Sequence, residues 1–91
     1  DYPQAAICQY NRGWYLSNGG KNKQAIEAYQ AALALDPQMS TARYNLIYLL
    51  YKESRAQEAK QQAKVFLEAS NSPEDKSKVQ AMLKAIEDKS K

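Results

Sequence analysis

The chain has 91 residues, 44% of them hydrophobic, with 13 basic and 10 acidic side chains and a formal net charge of +3. That is enough chain for one packed domain, and mixed-sign charge of this kind favours solubility over phosphate attraction, so we expect no nucleic-acid partner. Histidine is absent and cysteine occurs once, at Cys8, which excludes an internal disulfide, a histidine-bearing zinc site and a histidine general base.

The apolar residues are scattered in short groups, and no run approaches the eighteen or so needed to span a bilayer, so no membrane insertion is expected. The start, Asp1-Tyr2-Pro3-Gln4, has neither the basic region nor the apolar stretch of a signal peptide, and the lack of an initiator Met reads as a piece cut from something longer. Localisation is therefore open, soluble and cytoplasmic by default.

Ala, Gln, Lys, Glu and Leu dominate, with three glycines and three prolines, a composition that favours helix throughout. The first predicted helix spans 4–18 and stops at Asn18-Gly19-Gly20. A second spans 22–35 and ends at Asp36-Pro37; a third spans 38–52, before the polar Glu53-Ser54-Arg55; a fourth spans 55–70. The fifth, 73–89, has the clearest start: Ser72 can cap it, Pro73 suits its first position, and Glu74 and Asp75 favour the positive end of its dipole. In it Val79, Met82, Leu83 and Ile86 recur at helical spacing and form one apolar stripe.

Sliding the chain along itself until Tyr10-Asn11 meets Tyr44-Asn45 also brings Trp14 onto Tyr48, Leu16 onto Leu50, Ala25 onto Ala59 and Leu33 onto Leu67. A helical hairpin repeated at this period, about 34 residues, cannot bury its apolar face alone and must stack on a neighbour. Residues 6–39 resemble one complete tetratricopeptide repeat, through Tyr10-Asn11, Gly13, Gly20, Ala25-Ile26-Glu27, Tyr29, Ala32-Leu33 and Leu35-Asp36-Pro37. Residues 40–73 are a divergent second copy, keeping Tyr44-Asn45-Leu46, Leu50, Ala59 and Leu67 but placing Ile47 at the small first-helix position and Ser54 at the turn glycine. Both copies depart from the pattern near the start, with Gln9 and Arg43 in place of a large aromatic, and the first has Arg12 where a leucine is usual. Residues 74–91 read as a capping helix. The resemblance implies an all-α, right-handed helical-hairpin stack, an α-α superhelix forming a single domain over 1–91, in which Gly13 and Ala25 let paired helices approach and Pro37 begins the next helix.

It also implies a function. In this family the first helix of each hairpin lines a concave groove that holds extended peptides, and here the matching residues are Tyr10, Asn11, Trp14, Tyr44, Asn45, Tyr48 and Tyr51. The family's best understood members grip a terminal carboxylate with basic residues and asparagines; Asn11 and Asn45 match the asparagines, but Tyr10 and Tyr44 stand at basic positions. The expected ligand is therefore an apolar or uncharged segment of a protein partner, held by a non-enzymatic adaptor or scaffold without cofactors. The alternative is that these aromatics pack on the cap or a neighbouring repeat, in a module that self-associates as a homo-oligomer or joins a longer array. Cys8 reads as a small packing residue without chemistry.

Overall fold

A computed structural model describes residues 2–89. It holds five helices, α1 (Tyr2–Asn18), α2 (Asn22–Leu35), α3 (Ser40–Lys52), α4 (Ala56–Ala69) and α5 (Pro73–Lys89), each within two residues of its expected bounds. Residues 90 and 91 of the expected cap lie outside the described residues. Consecutive helices pack on one another, α1 on α2 through to α4 on α5, with a lesser contact of α5 on α3. Two hairpins, α1–α2 and α3–α4, thus stack side by side with α5 closing one end.

The start of α3 corrects one expectation. Pro37 does not begin the helix, because Asp36 shapes a turn first: its carbonyl accepts the Met39 amide at 3.1 Å and its carboxylate accepts the Gln38 amide at 3.1 Å. That side-chain bond mimics a backbone turn and delays helix entry to Ser40. At α5, by contrast, Ser72 Oγ accepts the Asp75 amide at 3.3 Å, as the cap reading requires.

The two hairpin turns are copies of one another. Gly20 has φ +80° and Ser54, its counterpart in the second repeat, has φ +62°. In each, the amide of the next residue reaches back to the helix, Lys21 to the Leu16 carbonyl at 2.8 Å and Arg55 to the Leu50 carbonyl at 2.9 Å. These bonds satisfy carbonyls that a helix end would otherwise leave open. Only the left-handed residue between them allows the reversal, and serine occupies it at a steric cost that glycine avoids.

One continuous apolar core runs through α2–α5, with Tyr29, Leu46, Ile47, Leu50, Phe66 and Val79 all at most 3% exposed. Each large side chain buried in this way contributes about 1.5–3 kcal/mol. The apolar stripe of α5 covers the core's end: Val79 and Ile86 are buried, and Met82 and Leu83 pack against it in part. Within the first hairpin the close approach has a measurable reason, because a Cβ on Gly13 would lie 2.9 Å from two ring carbons of Tyr29. The second hairpin instead has Ile47 at the glycine position and the smaller Ala63 where the first has Tyr29, both buried. Small and large have exchanged sides between the two copies.

The departures at Gln9 and Arg43 have structural outcomes. Arg43 donates to Gln62 Oε1 at 2.5 Å and to the Pro37 carbonyl at 2.9 Å, tying the second hairpin with polar contacts in place of an aromatic. The counterpart of Gln62 in the first hairpin is Ala28, which offers nothing comparable, and Gln9 Oε1 is buried without a donor among the described residues. Cys8 is exposed, not packed, because none of the described helices covers the outer face of α1.

Candidate binding groove

Tyr10 and Trp14 stand one turn apart on α1, and Asn45 and Tyr48 stand at the facing positions of α3. With Tyr29 of α2 and Leu49 they line one cleft of about 300 Å³. Its floor is tied by Asn45, whose amide nitrogen donates to the Tyr10 hydroxyl at 3.3 Å and to the Tyr29 hydroxyl at 3.4 Å. The Tyr10 and Tyr29 rings lie 5.7 Å apart at a tilt of 52°, so three helices meet through these three side chains. Burial, then the neighbouring Tyr10, push the Tyr29 phenol above its ordinary pKa, while the Asn45 hydrogen bond works in the opposite direction.

The walls are different in kind. Trp14 is 51% exposed and Tyr48 46% exposed, large apolar surfaces left facing water on either side of the cleft. Lys52 Nζ lies 5.4 Å from the centre of the Tyr48 ring, a cation resting on the negative face of the aromatic system. The rim is therefore aromatic with a positive edge, a feature the sequence reading of a tyrosine-rich groove did not include.

The remaining expected residues are not gathered into that cleft. Tyr44 packs edge-on to Phe66, with centroids 6.3 Å apart, and lines a second cleft of about 290 Å³ together with Ser40, Thr41, Asp75 and Lys78. Tyr51 is partly buried against the core. Asn11 is exposed on α1, at the position equivalent to Asn45 but away from the cleft. Of the seven candidates, then, Tyr10, Trp14, Asn45 and Tyr48 come together, Tyr44 lies further along, and Asn11 and Tyr51 stand apart.

Asp75 and Lys78 were missed because α5 reads as a cap. A signal was present: one repeat earlier they correspond to Thr41 and Tyr44, and two repeats earlier to Ile7 and Tyr10, all on the first helices of their hairpins. Helix α5 thus repeats the placement of the first helices, with Lys78 where they carry Tyr10 and Tyr44 and Asp75 where they carry the uncharged Ile7 and Thr41.

A family model for the tetratricopeptide repeat matches residues 10–74 of the chain. The chain belongs to that family. No curated protein sequence matches it. Tetratricopeptide domains are generally non-catalytic modules for protein–protein interaction or scaffolding, and the five-helix stack described above has the helical-hairpin architecture of that family. Among the described residues, no helix is long and apolar enough to cross a membrane.

Proposed function

We propose that this tetratricopeptide domain is a non-enzymatic adaptor that holds an extended segment of a partner protein between Trp14 and Tyr48, over the floor formed by Tyr10 and Asn45. The observation that carries the reading is the pair of half-exposed aromatics on facing helices beside one cleft, since side chains of that size are normally buried when they serve packing alone. Stiff aromatic walls supply contact area at little entropic cost, and polar groups at the floor can pair with an extended backbone. The Lys52 edge and the Asp75–Lys78 end fit a segment that is apolar at its centre and polar at one flank.

Trp14 is the one tryptophan in the chain, so its emission reports directly on the groove. Peptides selected from a displayed random library should shift that emission on binding, and Tyr48→Ala should weaken them about tenfold, the loss of one well-buried aromatic contact, with the melting temperature nearly unchanged. Selected peptides that leave Trp14 emission unaltered, and bind Tyr48→Ala equally well, would place the binding surface elsewhere.

A further inference from the structure

The fold accounts for two of the three glycines. A Cβ on Gly13 would lie 2.9 Å from ring carbons of Tyr29, and Gly20 holds φ +80°. Gly19 meets neither condition: its φ lies outside the left-handed region, and a Cβ there would sit at an ordinary 3.6 Å from the Tyr15 and Leu16 carbonyl oxygens. The second repeat has Glu53 at that position of an equivalent turn, so a side chain is sterically acceptable. What glycine changes there is chemical. It leaves the carboxamide of the preceding residue, Asn18, open to its own backbone nitrogen.

Of the five asparagines, Asn18 alone combines that neighbour with a free side chain at a helix end. Asn11 and Asn45 lie inside α1 and α3, where the next amide is held in the helix and the backbone keeps it away from the side chain. Asn22 is bonded through Nδ2 to the Glu53 carboxylate at 3.1 Å and precedes Lys23 within α2. Asn71 is exposed in the link before α5, but Ser72 crowds it with a side chain and donates its amide to Ser70 Oγ at 3.2 Å. Asn18 is the last residue of α1, exposed, and its side chain has no hydrogen bond among the described residues. The amide of Gly19 is held by the Tyr15 carbonyl at 3.1 Å, and a terminal bond of that kind opens by fraying.

We infer that Asn18-Gly19 is a site of spontaneous, backbone-mediated deamidation that recharges the border of the aromatic groove. The Gly19 nitrogen attacks Cγ of Asn18 and closes a five-membered succinimide, while the side-chain nitrogen takes up the displaced proton and leaves as ammonia. Water then opens the ring at either carbonyl, giving aspartate or, with one methylene added to the backbone path, isoaspartate. Water is the sole co-reactant, and the chain loses one unit of positive net charge. Asn18 lines the cleft together with Tyr10, Trp14 and Tyr48, so either product places a carboxylate there. The rim, which has its positive edge from Lys52, then carries charge of both signs and favours a partner segment with a basic flank. That consequence for the ligand rests on the groove reading proposed above; the chemistry at Asn18 does not.

The test is incubation of the domain at physiological temperature in mildly alkaline buffer, followed by intact mass and peptide mapping. A gain of one mass unit assigned to Asn18 is expected, with isoaspartate as well as aspartate at that position and labelling by an isoaspartate methyltransferase. Gly19→Ala, which the turn accommodates, should slow the conversion on the order of tenfold while leaving the helical circular dichroism unchanged. Conversion of Asn71 ahead of Asn18, aspartate without isoaspartate, or equal rates with and without Gly19→Ala would overturn the site. So would an unchanged mass over the time in which a free peptide of residues 14–22 converts completely. Peptides selected on the Asn18→Asp domain should carry more basic flanks than those selected on the unaltered domain. Equal flank charge in the two selections would overturn the groove consequence alone, a failure distinguishable from the first because conversion is read by mass without any ligand.

Discussion

Gly13→Ala sets two effects of opposite sign against each other at one position. Glycine within a helix is worth about 0.8–1 kcal/mol less than alanine, so on propensity alone the substitution stabilises. In this molecule the new methyl would sit 2.9 Å from Cδ1 and Cε1 of Tyr29 and 3.0 Å from Cζ. Ordinary carbon contacts lie near 3.5–4 Å, so the ring or the helix has to shift by several tenths of an ångström. The ring has little freedom to do so, being 1% exposed, stacked obliquely on Tyr10 and hydrogen-bonded by Asn45. Overpacking of that kind costs about 1–3 kcal/mol, which leaves a net destabilisation of roughly 1 kcal/mol after the propensity gain. For a domain of this size that lowers the melting temperature by about 4–8 °C, measurable by circular dichroism at 222 nm. The decisive control is Tyr29→Leu: with the ring gone, Gly13→Ala should reverse sign and stabilise by up to about 1 kcal/mol. The same effect in both backgrounds, or a higher melting temperature for Gly13→Ala alone, would refute the argument that Tyr29 dictates the glycine.

Ser54→Gly should stabilise the domain by about 0.5–1 kcal/mol in urea denaturation, since it relieves a left-handed serine at some cost in chain entropy, whereas Gly20→Ala at the equivalent turn should destabilise by about 1 kcal/mol. Equal effects at the two turns would show that they are not equivalent. Alkaline pH should weaken the fold through Tyr29: its folded pKa is raised, so above about pH 10 the unfolded chain releases the phenolic proton first, and stability present below that value is lost as pH rises through the folded pKa. Denaturation midpoints measured between pH 8 and 11 should fall more steeply for the wild type than for Tyr29→Phe, and parallel slopes would remove Tyr29 as the cause.

Much of the fold was readable because its signals are local and repeated. Ser72-Pro73 marks a helix start by hydrogen bonding and fixed backbone geometry, and the repeat-to-repeat correspondence of Gly20 with Ser54 marks the same turn twice. Pro37 misled because the competing signal, the carboxylate of Asp36 folding back on the Gln38 amide, is a turn preference that outweighed the proline preference for a first helical position. The groove was legible only in part. Spacing puts Tyr10, Trp14, Tyr44 and Tyr48 on neighbouring stripes, but which ring turns toward Phe66 and which stays in water depends on the packing between helices. Cys8 shows the same boundary in reverse. Small size suits a buried position, yet burial needs a neighbour, and the outer face of α1 has none among the described residues.

Asn45 belongs to α3 but holds Tyr10 of α1 and Tyr29 of α2, so the seam between the two hairpins is also the bottom of the groove. The domain therefore has a floor that cannot be altered without loosening the stack, and walls, Trp14 and Tyr48, that project beyond it. On the proposed reading, exchange of those two side chains for others would redirect what the surface prefers while the architecture stays as it is. A segment lying across the seam would in turn bridge both hairpins, and its binding would register as resistance to their separation.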